Sequence, residues 1–381
     1  MLSRRQLKRK LSSALFPPCI FRDESRIYQT TATLVVRGAL EGALSSFHSS
    51  NFSTVKIKVA KDEGVLASQI IQENMSTNEE EKEKNVYVLH GLMGQGKNWR
   101  GPIKVLSEKL KEVLPKVRFR FHLIDIRGHG NSPRFHDYAP HTIENAAKDI
   151  ERYSKYHEIV PVVVLGHSLG GKIALEYSRS LSSLSSAKKR QLVFTLDSVP
   201  YEVEKDMFGA EFILKATEKL PEIVPNREYL RAQLAPLQIS SGVIDWLGSN
   251  LVLAKQGDAR DDDGTNKTGL TWQFNRKILR ELYESFQQTA LWHALEEKDH
   301  DNVHVYIVKA EKSAEWKPDA MKRIETLKQE KKISYHVLEK AGHWVHSDNP
   351  TGLINILHDE LVAAENNSTI WLHCVILFMM I

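Results

Sequence analysis

Residues 160–181 read VPVVVLGHSLGGKIALEYSRSL, and this stretch decides the fold. Its first half is an unbroken β-branched and apolar run, the pattern of a strand buried on both faces. Its second half, from Gly170 to Leu181, carries apolar residues at helical spacing. Between them Gly166-His167-Ser168-Leu169-Gly170 makes a G-x-S-x-G turn from strand to helix. Such a turn lifts a serine hydroxyl clear of the backbone in a strained conformation, and residues two positions to either side must be glycine to avoid collision.

Outward from this turn the same alternation repeats. NVYVLHG (85–91) reads as a strand, Pro102–Leu114 as a helix, RFRFHLIDIRG (118–128) as a strand and Thr142–Glu158 as a helix. After the elbow come LVFTLDSVP (192–200), NVHVYIVKA (302–310) and KISYHVLEKAG (332–342) as strands. Asp319–Glu330 lies between the last two as a helix, and Thr351–Ala364 closes the pattern as another. Strands alternating with helices imply a mostly parallel sheet flanked by helices. Two strand-like runs, Thr54–Val59 and Val65–Ile71, precede it, followed by the charged NMSTNEEEKEKN (74–85), read as a solvated hairpin loop.

About a hundred residues, 201–300, show no strand alternation and are rich in helical pattern (Met207–Leu220, Asn226–Leu234, Arg276–Leu295). A structureless loop of that size is improbable in a compact domain, so a helical cap insertion is expected. GDARDDDGTN (257–266) is its loop: the consecutive Asp261, Asp262 and Asp263 do not have the alternating ligand spacing of a calcium loop. The expected organisation is a leader at 1–50, a core at 51–200 and 301–365, the cap at 201–300 and an apolar tail at 366–381.

The 381 residues hold 41% apolar and 26% charged side chains, which excludes a disordered, collagen-like or multi-span membrane chain. The net charge of +4 comes from 52 Lys and Arg against 48 Asp and Glu. Six of the 52 (Arg4, Arg5, Lys8, Arg9, Lys10, Arg22) fall in residues 1–22, which contain no acid, so the remainder is 46 against 48. No nucleic-acid partner is expected of so neutral a body. The leader is basic, contains serines and has Leu2, Leu7, Leu11 and Leu15 at roughly helical spacing, as in an organelle transit peptide. A mitochondrial location is expected, with plastid or cytoplasm as alternatives. The two cysteines, Cys19 and Cys374, lie at the ends, so residues between them offer no disulfide, zinc knuckle or thiol nucleophile. The closing IWLHCVILFMMI (370–381) is too short to span a bilayer, and no stable membrane span is expected. The chain is expected to be a monomer.

Ser168 needs a base and an oxyanion site. His343, in KAGHW after the last predicted strand, has the position that the chain order Ser…Asp…His requires, with His346 as its rival. His90, His129 and His167 precede or accompany the serine and are read as loop-holding. For the acid, Asp197 ends a buried apolar strand, where an unpartnered carboxylate is costly; Glu311 and Glu315, after NVHVYIVKA, are the alternatives. Asp125 precedes the serine and is read as structural. The Leu169 amide, helped by the positive end of the helix it opens, and the Leu92 amide in HGLMG are the oxyanion donors. Trp246, Trp272, Phe274 and Trp292 suit either an apolar substrate pocket or the core of the cap itself. No metal or organic cofactor is called for.

HGLMG, DIRGHGNS, GHSLGG and AGHWVHSDNP, in that order, resemble the α/β-hydrolase superfamily over residues 51–364. Lys172 after GHSLGG, the LDSVP ending and TWQFN (271–275) are similar to the α/β-hydrolase domain-containing protein 11 group and its bacterial esterase relatives. The resemblance implies the α/β-hydrolase fold, a triad acid at Asp197 and a serine hydrolase acting on a small apolar or lipid-like ester; that group includes mitochondrial members. A thioesterase, amidase or lipid hydrolase with the same triad, or a non-catalytic binding member of the fold, are the alternatives. SLSSLSSAKKR (180–190) and part of the DARDDDG loop look like insertions relative to that group, and Glu311-Lys312-Ser313 stands where relatives have a glycine-rich turn.

Overall fold

The computed structural model describes residues 52–57, 64–73, 82–132, 139–184, 191–204, 209–254, 268–297 and 302–379. The leader, the acidic part of the 74–85 run, the 257–266 loop and most of the 180–190 insertion lie outside these residues, as do the side chains of the tail from 368 onward. An eight-stranded sheet runs in the order β1-β2-β4-β3-β5-β6-β10-β11. Its strands are β1 (Phe52–Ile57), β2 (Ser68–Glu73), β3 (Lys82–Leu89), β4 (Val117–Ile124), β5 (Val163–His167), β6 (Gln191–Leu196), β10 (Val303–Ala310) and β11 (Ile333–Leu338). From β4 to β11 all neighbours are parallel; β2 is antiparallel to both β1 and β4.

The parallel strands are joined through α1 (Arg100–Val113), α2 (Ile143–Tyr156) and α3 (Leu169–Leu184). β5 and β6 are buried at every position, as their unbroken apolar runs require when helices cover both faces. Apolar clusters fill each side of the sheet, one around Tyr87, Ile150 and Ile173, the other around Val88, Leu106 and Phe194. The chain passes from β3 outward to β4, then returns to place β5 on the other side of β3. This reversal opens a crevice at the carboxyl ends of β3 and β5, where ligands bind in open parallel sheets.

β3 starts inside the charged 74–85 run rather than after it. Its exposed first residues are held from across the fold, where the Glu365 carboxylate pairs with Lys82, at 3.0 Å, and with Lys84. A strand end anchored by ion pairs has no apolar alternation to reveal it.

The segment between β6 and β10 carries α4 (Ala210–Glu218), α5 (Arg227–Leu234), α6 (Ser241–Gly248), α7 (Arg276–Gln288) and α8 (His293–Glu296). It also holds a three-stranded antiparallel sheet, β7 (Ile223–Val224), β9 (Leu270–Trp272) and β8 (Leu251–Leu253), in that spatial order. Strands of two or three residues are too short to show a period of two, so the sequence gives no sign of them. The continuous helix expected over Arg276–Leu295 breaks after Gln288. α9 (Pro318–Gln329) joins β10 to β11, and α10 (Val345–Asp348) and α11 (Pro350–Met379) finish the chain. Among the described residues no helix is long and apolar enough to cross a membrane.

Candidate active site

Ser168 sits between the end of β5 and the start of α3 with φ 52°, a left-handed conformation that a side chain adopts only under constraint. The two glycines beside it make the turn feasible. A Cβ at Gly166 would overlap the Gly170 carbonyl, and one at Gly170 would lie 2.5 Å from the Leu89 carbonyl oxygen. The Ser168 amide donates to the Leu196 carbonyl (3.1 Å), and its own carbonyl accepts from Ser198 Oγ (2.7 Å).

The structure brings Ser168, His343 and Asp197 together. Ser168 Oγ donates to His343 Nε2 at 3.0 Å, and His343 Nδ1 donates to Asp197 Oδ2 at 2.8 Å. Asp197, φ 43°, is fully buried at the end of β6. Its second oxygen, Oδ1, accepts from Trp316 Nε1 (3.0 Å) and the Ala310 amide (3.2 Å). A buried carboxylate facing three donors has its hydrogen-bonding needs met. Both ring nitrogens of His343 are thus taken, by Ser168 and Asp197, so neither Glu315 nor Glu311, which caps the Lys340 amide at 2.7 Å, fills that place. His346 stacks on Trp99, with ring centres 4.7 Å apart.

Three further histidines pack around this centre, each kept neutral. Burial lowers the His90 pKa to about 4 and pushes His129 and His167 well below the usual imidazole value. Their hydrogen bonds suit neutral rings. His90 Nδ1 donates to the Gly91 carbonyl (2.8 Å) while Nε2 accepts from the Ile126 amide (3.0 Å). His129 Nδ1 donates to the Arg127 carbonyl (3.0 Å) and Nε2 accepts from the Met93 amide (3.0 Å). His167 Nε2 donates to the His343 carbonyl (2.7 Å), fixing the backbone of the histidine that meets Ser168. Asp125 joins two loops by accepting from the Gly96 and Asn131 amides, both at 2.8 Å. Burial raises its pKa.

A cavity of about 290 Å³ opens onto Ser168 and His343. Leu92 and Leu169 line it, and neither amide has a hydrogen-bond partner among the described residues. Its far walls come from the segment between β6 and β10, through Ala210, Ile213, Trp246, Tyr283 and Phe286. The four aromatics singled out in the sequence divide. Trp246 lines the cavity, Trp272 and Phe274 stack on each other in the interior, and Trp292 packs between Tyr201 and Arg323. Among the described residues no group of three or more His, Cys, Asp or Glu side chains is placed to hold a metal.

Two features had no chemical signal in the sequence. Trp316, 119 positions from the carboxylate it serves, could not be linked to Asp197 by spacing. Lys172 is fully buried one turn after Ser168, and its ammonium donates to the carbonyls of Tyr201 (2.8 Å), Phe286 (2.6 Å) and Thr289 (2.6 Å). Burial lowers its pKa to about 7, with the Glu202 carboxylate acting in the opposite direction. Two of those carbonyls, Phe286 and Thr289, lie where α7 ends after Gln288.

A sequence profile of the alpha/beta hydrolase family matches residues 86–356. The sn-1-specific diacylglycerol lipase ABHD11 of Mus musculus is 24% identical over 270 residues, covering 70% of this chain and 76% of that one. Esterase YbfF of Escherichia coli is 23% identical over 277 residues, covering 71% and 91%. Among solved structures, a marine microorganism esterase aligns with TM-score 0.58 at 20% identity, covering 77% of this chain and 98% of that one, a likeness of fold.

Proposed function

This chain belongs to the alpha/beta hydrolase family, and on that premise we propose that it is a serine hydrolase cleaving carboxylic esters through an acyl-enzyme. The observation that carries this reading is the continuous hydrogen-bond chain from Ser168 Oγ through His343 to the buried Asp197, opening onto a cavity lined by Leu92 and Leu169.

In this reading Ser168 Oγ attacks the ester carbonyl as its proton passes to His343 Nε2. Asp197 holds the imidazole in the required tautomer and stabilises the imidazolium. The carbonyl oxygen becomes an oxyanion facing the Leu92 and Leu169 amides at the start of α3, where fixed donors and the helix end favour negative charge. His343 returns its proton to the leaving alcohol. Water, deprotonated by the same histidine, then attacks the acyl-enzyme and releases the acid. The apolar walls from Ile213, Trp246 and Phe286 support an apolar or lipid-like acyl or alcohol group. So does the likeness to the mouse diacylglycerol lipase. The basic leader supports a mitochondrial setting.

The direct test is turnover of p-nitrophenyl esters of increasing chain length by the purified protein. Wild type should hydrolyse them, while Ser168→Ala and His343→Ala should each lose at least about a thousandfold in kcat. Undiminished turnover by Ser168→Ala would remove the serine from the mechanism.

A further inference from the structure

We propose that Asn250 is a positioning residue that couples the segment between β6 and β10 to the oxyanion site, aiming the Leu92 amide at the carbonyl under attack. This deepens, and rests on, the reading of Ser168 and Leu92 given above.

Asn250 lies between α6 and β8, 1% exposed, with both its side-chain nitrogen and its side-chain oxygen hydrogen-bonded. Nδ2 donates to the Met93 carbonyl (3.1 Å) and to the Trp246 carbonyl (3.3 Å). Oδ1 accepts from Gln95 Nε2 at 2.6 Å. Its backbone is fixed as well, the amide donating to the Leu247 carbonyl and the carbonyl accepting from the Gln273 amide. One side chain therefore bridges a wall of the cavity, at Trp246, and the loop that follows β3.

The route from Asn250 to Leu92 runs through two planar peptides. The Met93 carbonyl and the Gly94 amide belong to one trans peptide, so holding the first fixes the direction of the second. The Gly94 amide donates to the Gly91 carbonyl at 3.0 Å. That carbonyl shares its peptide with the Leu92 amide, and the two point in opposite directions. Fixing the Gly91 oxygen thus aims the Leu92 N–H. Met93 has φ 58°, a strained left-handed conformation for a side-chain-bearing residue, so this loop does not hold its shape unaided. From the core side His129 takes the Met93 amide and His90 takes the Gly91 carbonyl. Among the described residues, Asn250 is the side chain of the cavity-walling segment that hydrogen-bonds the Met93–Gly94 peptide. Loss of this hydrogen bond would release the Met93–Gly94 peptide and with it the aim of Leu92.

Asn250→Asp tests this with little change of shape. It keeps an acceptor for Gln95 but removes both donors and sets a carboxylate against the Met93 carbonyl. Active sites are titrated with a fluorophosphonate, and kcat and KM for a p-nitrophenyl ester are measured per titrated site. Affinity for an alkyl boronic acid, whose tetrahedral adduct places an oxygen in the oxyanion site, is measured alongside. The expected result is a fall of about ten- to hundredfold in kcat, KM within threefold, and a matching loss of boronate affinity. Gln95→Leu, which removes the donor orienting Asn250, should show the same pattern more weakly and serves where Asn250→Asp does not fold. Wild-type kcat and boronate affinity per site in the folded variants would overturn the proposal. If wild type itself takes no label at Ser168, the serine-hydrolase reading fails instead, so the two failures are distinct.

Discussion

Asp197 makes the least symmetrical contribution to the site: one oxygen faces His343, and the other is tied to Trp316 and Ala310. Replacing it with Asn keeps the shape but turns an amide toward His343, favouring the wrong tautomer. We expect Asp197→Asn to lower kcat by about 10³- to 10⁴-fold, and Glu311→Gln to stay within about twofold, because Glu311 only caps Lys340. Steady-state kinetics of the two variants side by side decide the matter; the reverse ranking would move the acid to the loop after β10. Ser168, Asp197 and His343 were legible as candidates because each ends or follows a strand in a pattern that chemistry constrains. The burial of the strand that Asp197 ends favoured it over the glutamates, but which loop reaches His343 could not be read from a strand's end. Trp316 and Asn250 were illegible for the same reason: their roles exist only once distant loops meet.

Among the elements, the strands and helices of the parallel sheet were readable because burial on two faces imposes long apolar runs and helical stripes. The segment between β6 and β10 was only half readable. Its amphipathic helices show, but β7, β8 and β9 are too short for a period, and the carbonyls at the end of α7 meet a residue more than a hundred positions earlier. That residue, Lys172, ties the start of α3 to both ends of the segment, through Tyr201 on one side and Phe286 and Thr289 on the other. Lys172→Met fills similar volume but leaves three buried carbonyls without donors. We expect it to lower the free energy of unfolding by about 3–5 kcal/mol, read from urea titrations at pH 7. A change below about 0.5 kcal/mol would show that the carbonyls find other partners and that the lysine is no anchor.

For the molecule as a whole, the buried histidines make stability depend on pH. Burial lowers His90 and His346 to about 4 and His122 to about 3, from an ordinary value of 6.5. Between those values the unfolded chain binds protons that the folded chain refuses. Stability is therefore full above pH 6.5 and falls as pH drops through the window, by roughly 1.4 kcal/mol per pH unit for each such histidine. Asp125 and Asp149, raised by burial, act in the opposite sense. A variant isolates the histidine effect. His122 is hydrogen-bonded to Tyr153 and Asn85 far from Ser168, so His122→Gln should be less stable at pH 7.5 yet lose less between pH 7.5 and 5. Urea midpoints at both pH values measure this, and equal slopes for wild type and variant would show that His122 is not a buried neutral group.

The serine nucleophile itself is tested most directly by covalent capture. The purified protein is treated with a fluorophosphonate, digested, and the adduct located by mass spectrometry. We expect one adduct, on Ser168 in the peptide containing GHSLGG, absent from Ser168→Ala and formed far more slowly in His343→Ala. An adduct elsewhere, or none on wild type under conditions where it is folded, would mean that the hydrogen-bonded trio at the mouth of the cavity is not a nucleophilic centre.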